Sequence, residues 1–257
     1  MGVSAVIRTV ALAALCIVSA LEPASAQPNW ASANPPGCPN RFFHNWSTDS
    51  QDTIFFGGYT SDCISDWQTS NAVYRYAGGQ WDTMGHFNGI LYSVVQFHDT
   101  IVAGGYFSYV DSIPCTSSAA YYDGEWHPYG SFTNSIRTYR IIKNELYALG
   151  DFYECDGQPA VGIAKRISGQ WVPVGTMQVV SPPVGMFDLV KYQGTLVATG
   201  GFTIIGDEGD DIAYLNGTEW QILGPGIVGG MSGSGPMAVY QGDLYVGGQF
   251  STASGNA

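Results

Sequence analysis

The chain has 257 residues, of which 12% are charged and 14% aromatic; it carries 34 glycines and a net charge of −12. The acid excess excludes the basic surface that nucleic acid or an anionic membrane would need. So few charges among so many glycines and aromatics point to short strands and tight turns rather than amphipathic helices.

The first element is a targeting signal. Arg8 precedes an apolar stretch from Val10 to Ala20, and Ala24-Ser25-Ala26 fits the small-x-small rule for cleavage before Gln27. Residues 1–26 are therefore expected to be a signal peptide of an exported product, extracellular, periplasmic or at the cell surface. The stretch is short for a bilayer span, and no later segment suggests membrane insertion. Cys16 follows Leu15, which is bulkier than a lipid-attachment site accepts. Residues 27–48 form a Pro-rich N-terminal segment with room for one short strand around Trp30.

From residue 49 onward two phrases recur. Trp81, Trp126, Trp171 and Trp220 are spaced 45, 45 and 49 residues apart, and a glycine follows each by four residues: Gly85, Gly130, Gly175 and Gly224. Upstream lies "IFFGGYT", "IVAGGYF", "LYALGDF", "LVATGGF" or "LYVGGQF". The shared glycines Gly58, Gly105, Gly150, Gly200 and Gly248 keep spacings of 47, 45, 50 and 48. Two landmarks with one period define repeats at 49–89, 90–132, 133–180 and 181–230, with a partial copy at 231–257.

Each repeat reads as four antiparallel strands. In the second, "SVVQF" alternates, "HD" turns, "TIVAGGYF" returns, a loop follows, and "SAAYY" and "WHPYG" flank the turn "DGE". The glycine pair permits close backbone approach, and the Trp is expected to pack between neighbouring sheets. Four-stranded units of this length side by side make an all-β propeller. The last copy, "LYVGGQFSTASGNA", holds the first hairpin without the "NG-W--LG" half. The expected architecture is thus an open or imperfectly closed arc of about four and a half blades, the N-terminal part of a larger propeller.

The Gly-Gly strand end, the aromatic after it and the downstream Trp resemble the Kelch-type repeat, most closely that of exported bacterial propeller-repeat proteins. Tyr76, Tyr122 and Tyr214 sit near the expected Tyr position, where the third repeat has Arg166; the first repeat departs at Thr60 and in a longer loop. The resemblance covers about residues 49 to 257. It implies the fold firmly and leaves function open, since propellers host many activities.

The loops after the Gly-Gly strands vary most and would gather on one rim, where binding concentrates. The candidate rim residues are Trp67, Tyr106, Tyr109, Asp111, Tyr153 and Asp156; the aromatics could stack on the apolar faces of sugars, although packing of the rim itself is the favoured reading. Four cysteines follow the signal segment. Cys115 with Cys155, from adjacent repeats, and Cys38 with Cys63 would make two disulfides; four free buried thiols is the other outcome. Asp207, Glu208, Asp210 and Asp211 crowd one loop and could hold Ca²⁺, but the spacing matches no EF-hand, and a solvated acidic loop is the favoured reading. Apart from that loop, no cofactor is expected. A Kelch-like propeller could carry a galactose-oxidase-like copper centre of two His and two Tyr, but His44, His86, His98 and His127 fall at no ligand spacing. Nor is there a Gly-x-Ser-x-Gly elbow. "MSGSGPM", Met231 to Met237, reads as a loop. The sequence therefore points to an exported, non-enzymatic module binding protein or glycan, with a hydrolase or oxidase at the channel mouth as the alternative.

Overall fold

The computed structural model describes residues 7–9, 41–48, 53–60, 70–180, 185–205, 210–228, 234–248, 250 and 252–253, and the regular elements in them are all strands. β1 is Ile7–Thr9. The first sheet follows as β2 Arg41–Thr48, β3 Ile54–Thr60, β4 Ser70–Ala77 and β5 Gln80–Phe87. The second repeat supplies β6 Ile90–Phe97 and β7 Thr100–Tyr106. A small loop hairpin comes next, β8 Tyr109–Val110 and β9 Ile113–Pro114, and then β10 Ser118–Tyr122 and β11 Glu125–Pro128. The third has the same plan: β12 Ile136–Ile142, β13 Glu145–Gly150, the loop hairpin β14 Glu154–Cys155 and β15 Gln158–Pro159, β16 Ile163–Ile167 and β17 Gln170–Pro173. The fourth is β18 Gly185–Tyr192, β19 Thr195–Thr203, β20 Asp210–Asn216 and β21 Glu219–Ile222. β22 Ile227–Val228 leads to β23 Ser234–Tyr240, β24 Asp243–Gly248 and β25 Thr252–Ala253.

Each of the first four repeats is an antiparallel four-stranded blade with its strands in chain order. The innermost strands β2, β6, β12, β18 and β23 pack each against the next. This is a β-propeller of four full blades and a fifth represented by β23 and β24. No described strand of the first blade pairs with the fifth. Tight turns with positive φ close the inner hairpins at His98, Lys143-Asn144, Gln193-Gly194 and Gln241-Gly242, the last three with Asn or Gly, which tolerate this region, at the second position.

The first blade begins at Arg41, so the expected boundary at residue 49 excludes its innermost strand. The reason is a bulge: the β2–β3 register shifts between Phe43 and Asn45, which breaks the two-residue alternation by which a strand is read. The same shift falls at Leu91/Ser93, Ile136/Thr138 and Met186/Asp188 in the next three inner strands. It also explains "MSGSGPM". Its last four residues are strand: β23 begins at Ser234 and places Gly235 and Pro236 at the bulge between Ser234 and Met237, where a missing N–H is tolerated; Met231 to Gly233 lie outside the described residues.

The cores lie between blades. Val73 and Phe87 of the first blade join Leu91, Ala103 and Trp126 of the second. Val102 meets Ile136, Leu146 and Trp171, Tyr147 and Leu149 meet Met186, Leu189 and Trp220, and Tyr192 and Val197 meet Leu244 and Val246. The glycine shared by the repeats has the expected role: a Cβ on Gly105, Gly150 or Gly200 would strike the carbonyl oxygen of Ile90, Ser135 or Gly185 at the start of the adjoining inner strand.

Neighbouring blades are also tied by a repeated β-bridge. The segment leaving one blade pairs with the loop after the next blade's glycine pair, as Phe87 with Val110, Phe132 with Cys155, Val179 with Ile204, and Ile227 with Ala253. Because of this tie, β8 and β9 extend the first blade into a six-stranded sheet. β1 lies parallel to β24, Ile7 opposite Leu244 and Thr9 opposite Val246.

Cys115 and Cys155 do not form the expected bridge. Both are free and buried, Cys115 in the core between the first two blades and Cys155 in the next core along. They fall at different positions of adjacent repeats, Cys155 being the counterpart of Val110, and so they pack into different cores. Cys38 and Cys63 lie outside the described residues.

Candidate binding rim

The loop after β7 is held by one carboxamide. Asn88 Oδ1 accepts the Ser108 and Tyr109 amides, each at 2.8 Å, and Asn88 Nδ2 donates to Ser108 Oγ at 3.0 Å. One blade on, a hydroxyl does the same: Thr133 Oγ1 accepts the Tyr153 and Glu154 amides, both at 3.1 Å. A short side chain just past one blade thus fixes the loop of the next. The tyrosines those loops carry point outward: Tyr106 is 60% exposed, Tyr109 46% and Tyr153 55%. Rings held on an immobilised backbone contact a partner with little loss of conformational freedom.

The rim aspartates are engaged in the fold. Asp111 accepts the His86 amide at 3.0 Å and donates its own N–H to the His86 carbonyl. Asp156 accepts the Ser131 amide at 2.8 Å and the Trp171 amide at 2.7 Å. Both residues have positive φ, 49° and 45°, and both clip a loop to the preceding blade. In the fourth blade backbone replaces carboxylate: Thr176 N donates to Thr218 O, and Trp220 N donates to Thr176 O.

Each described repeat Trp serves as a second clip. Trp126 Nε1 donates to Met84 O at 2.9 Å, Trp171 Nε1 to Tyr129 O at 2.6 Å and Trp220 Nε1 to Val174 O at 2.7 Å. The glycine after each acceptor, Gly85, Gly130 or Gly175, gives the indole its seat, since a Cβ there would collide with that ring. Arg166, at the expected Tyr position, lies 4.1 Å over the Tyr129 ring and 5.5 Å over Trp171. It therefore packs this joint as a cation on two aromatic faces.

A second cluster is absent from the sequence reading. Tyr92, Arg137 and Phe187 occupy the bulged position of three successive inner strands. The Arg137 guanidinium lies 5.9 Å from the Tyr92 ring centre and 5.3 Å from that of Phe187. Asp151, the first residue past its glycine strand, accepts from Arg137 Nε at 2.7 Å and from Ser135 Oγ at 2.6 Å. The Arg137 side chain stays 39% exposed, so a half-solvated cation stands between two rings at the inner end of the rim. Its only sequence signal is a residue flanked by inward-facing apolar ones, which a bulge disguises.

The described histidine side chains have separate partners, and that of His44 lies outside what is described. His98 Nε2 bonds Asn144 Oδ1 at 3.0 Å across two blade turns, and His127 stacks on Tyr122 at 4.0 Å. Among the described residues no three His, Cys, Asp or Glu side chains gather to hold a metal ion. Asp211 Oδ1 accepts the Phe202 amide at 3.2 Å; Asp207 and Glu208, with the side chain of Asp210, lie outside what is described, as does the side chain of Trp81. Trp67 is likewise outside.

No protein-family model and no curated protein sequence matches the chain. Among solved structures it is similar to one assigned as an oxidoreductase (glucose dehydrogenase) from Thermus thermophilus, at 11% identity and a TM-score of 0.47, covering 84% of this chain and 78% of that one. It is similar also to YCF48 bound to D1 peptide, at 15% identity and a TM-score of 0.36, covering 70% and 66%. Likenesses this distant carry nothing about activity or partner.

Proposed function

We propose that this propeller is an exported, Kelch-like binding module that takes protein or glycan on the rim formed by the loops after the glycine strands. The observation that carries this reading is the set Tyr106, Tyr109 and Tyr153, exposed on loops that Asn88 and Thr133 hold in place. Large rings left in water on a rigid backbone serve as anchors for a flat or apolar ligand face. Asp111 and Asp156 belong to the support of those loops, because their carboxylates already accept backbone amides. Arg137, between Tyr92 and Phe187, adds a cation at the inner end of the same surface.

The test is binding by the purified chain and by Y106A/Y109A/Y153A on a glycan array and a displayed peptide library. A signal lost in the triple variant, with thermal stability kept, supports the rim. Equal binding by both proteins removes it. Signal on peptides alone makes the partner a protein.

A further inference from the structure

The three indole seats have a fourth counterpart. Gly224 follows Trp220 by four residues, as Gly85, Gly130 and Gly175 follow their own tryptophans. Its φ of +65° matches the +69° of Gly175. Leu223, before it, is buried and corresponds to the acceptors Met84, Tyr129 and Val174. Yet a Cβ on Gly224 would meet no described atom within 4 Å, whereas Gly175 is crowded by Leu215 at 2.6 Å and Trp220 at 2.9 Å. The seat is formed, and among the described residues no indole fills it.

The edge next to it agrees. In each full blade the glycine strand pairs on its outer side with an antiparallel strand: β7 with β10, β13 with β16, β19 with β20. On β24 that side carries β1, three residues in parallel, whereas every other named strand pair is antiparallel. β1 contains no Trp. The core below is already in place, with Leu244 and Val246 buried against Tyr192 and Val197. The bridge between Ile227 and Ala253 fixes the fifth blade at the same offset as the others.

We propose that the β24 edge and the Gly224 seat form one receptor for a β-hairpin of the repeat's own chemistry. Its first strand would add antiparallel to β24 and displace β1. Its second strand would carry a Trp that donates over Gly224 to the second lone pair of Leu223 O, which already accepts the Gly226 amide at 3.3 Å. The surface continues the interface that three pairs of blades already make within the chain, which is why the occupant is a hairpin of this pattern. One contact is missing from the pattern. His86, Ser131 and Thr176 each donate a backbone N–H to the following blade, and Pro225 occupies that position with no N–H to give.

The receptor is distinct from the aromatic rim and is tested separately, with the full chain and a labelled peptide of the sequence of residues 210–224. Saturable binding is expected, weakened at least tenfold when the peptide's Trp is changed to Ala and at least tenfold by Gly224→Asn in the chain. Asn tolerates positive φ and Gly224 has open space, so G224N is expected to keep its melting temperature. P225S, which restores the donor, tightens binding several-fold, and Y106A/Y109A/Y153A leaves it unchanged. A chain beginning at Gln27, the expected mature form, lacks β1 and exposes the edge. A peptide that binds neither the full chain nor this form, or that binds equally with and without its Trp, overturns the proposal.

Discussion

Trp171 donates its indole N–H to the Tyr129 carbonyl at 2.6 Å and lays its ring over Gly130. That one contact joins the last strand of the third blade to the exit of the second. It explains why a Trp and a glycine recur together at a fixed distance: each Trp uses the glycine of the blade before it. Trp171→Phe keeps most of the ring volume and removes one of two donors to the partly buried Tyr129 carbonyl, Ser118 Oγ at 3.1 Å being the other. The expected cost is about 0.5–1.5 kcal/mol, read as a lower denaturation midpoint without a change in slope.

The seats can be isolated from their backbone geometry. Gly175 and Gly224 share nearly the same positive φ, but only Gly175 bears a ring. Alanine at either site incurs the left-handed backbone penalty, about 1 kcal/mol. G175A should lose a further ~1–3 kcal/mol from overpacking against Trp220 and Leu215. Chemical denaturation of the two variants side by side measures the difference; equal losses would show that the ring does not need the glycine.

Asp156 accepts two backbone amides from different blades. Asp156→Ala removes both acceptors and adds strain at φ 45°, while Asp156→Asn keeps one acceptor and a residue suited to that φ. D156A is expected to cost about 2 kcal/mol more than wild type and D156N about half of that. The same pair should loosen amide-exchange protection at Ser131 and Trp171 in that order.

Asp188 is buried, accepts from Arg140 Nε at 2.6 Å and takes the amides of Leu189 and of Met237 in the fifth blade. Removing it leaves the Met237 amide without this acceptor and Arg140 with only Thr138 Oγ1 and the Tyr139 carbonyl, and Asp188→Ala should cost about 2–3 kcal/mol. Glu145, paired with Lys165 at 2.5 Å on the surface, should cost under ~1 kcal/mol on change to Ala. Hydrogen exchange should show D188A releasing β23 before the first three blades.

Burial pushes the Cys115 thiol up to about 11 and the Cys155 thiol up to about 12 from a usual value of 9.0. Cys155 is held up further by Asp156 and Glu154 beside it, and its thiol donates to Trp171 O at 3.7 Å. The folded state therefore keeps protons that the unfolded chain releases. With fewer protons bound when unfolded, stability falls as pH rises above about 9 and continues to fall until the folded thiols ionise. Buried Tyr139, its hydroxyl 2.8 Å from Ser118 Oγ, is raised as well, mainly by burial, and adds to the same slope. Melting temperatures from pH 8 to 10.5 should decline, less steeply in C115A/C155A. At pH 8 both thiols should react with a thiol reagent only after denaturation.

The period was legible from the start because it is local. A Gly-Gly strand end, a tight turn and a Trp four residues before a glycine each announce one strand and its facing, and repetition of the set announces a blade. The first blade's inner strand was not legible, since the bulge at His44 breaks the alternation that marks a strand. The rim was legible in part. The loops and their tyrosines are where the period places them, but nothing near Asp111 or Asp156 in sequence shows that His86 and Ser131 will donate to them.

What the sequence by itself determined is the blade: its four strands, its turns, and the residues that line its faces, all set by neighbours a few positions away. What only the tertiary structure decided is how blades meet. That includes the separation of Cys115 from Cys155, the stacking of Arg137 between Tyr92 and Phe187, and the open seat at Gly224. Contacts between neighbouring blades such as Trp126 to Met84, Trp220 to Val174 and Met237 to Asp188 join residues 42 to 49 positions apart. At that separation chain connectivity imposes no pattern, and the pairing emerges only when two hydrophobic faces pack and bring their edges into register.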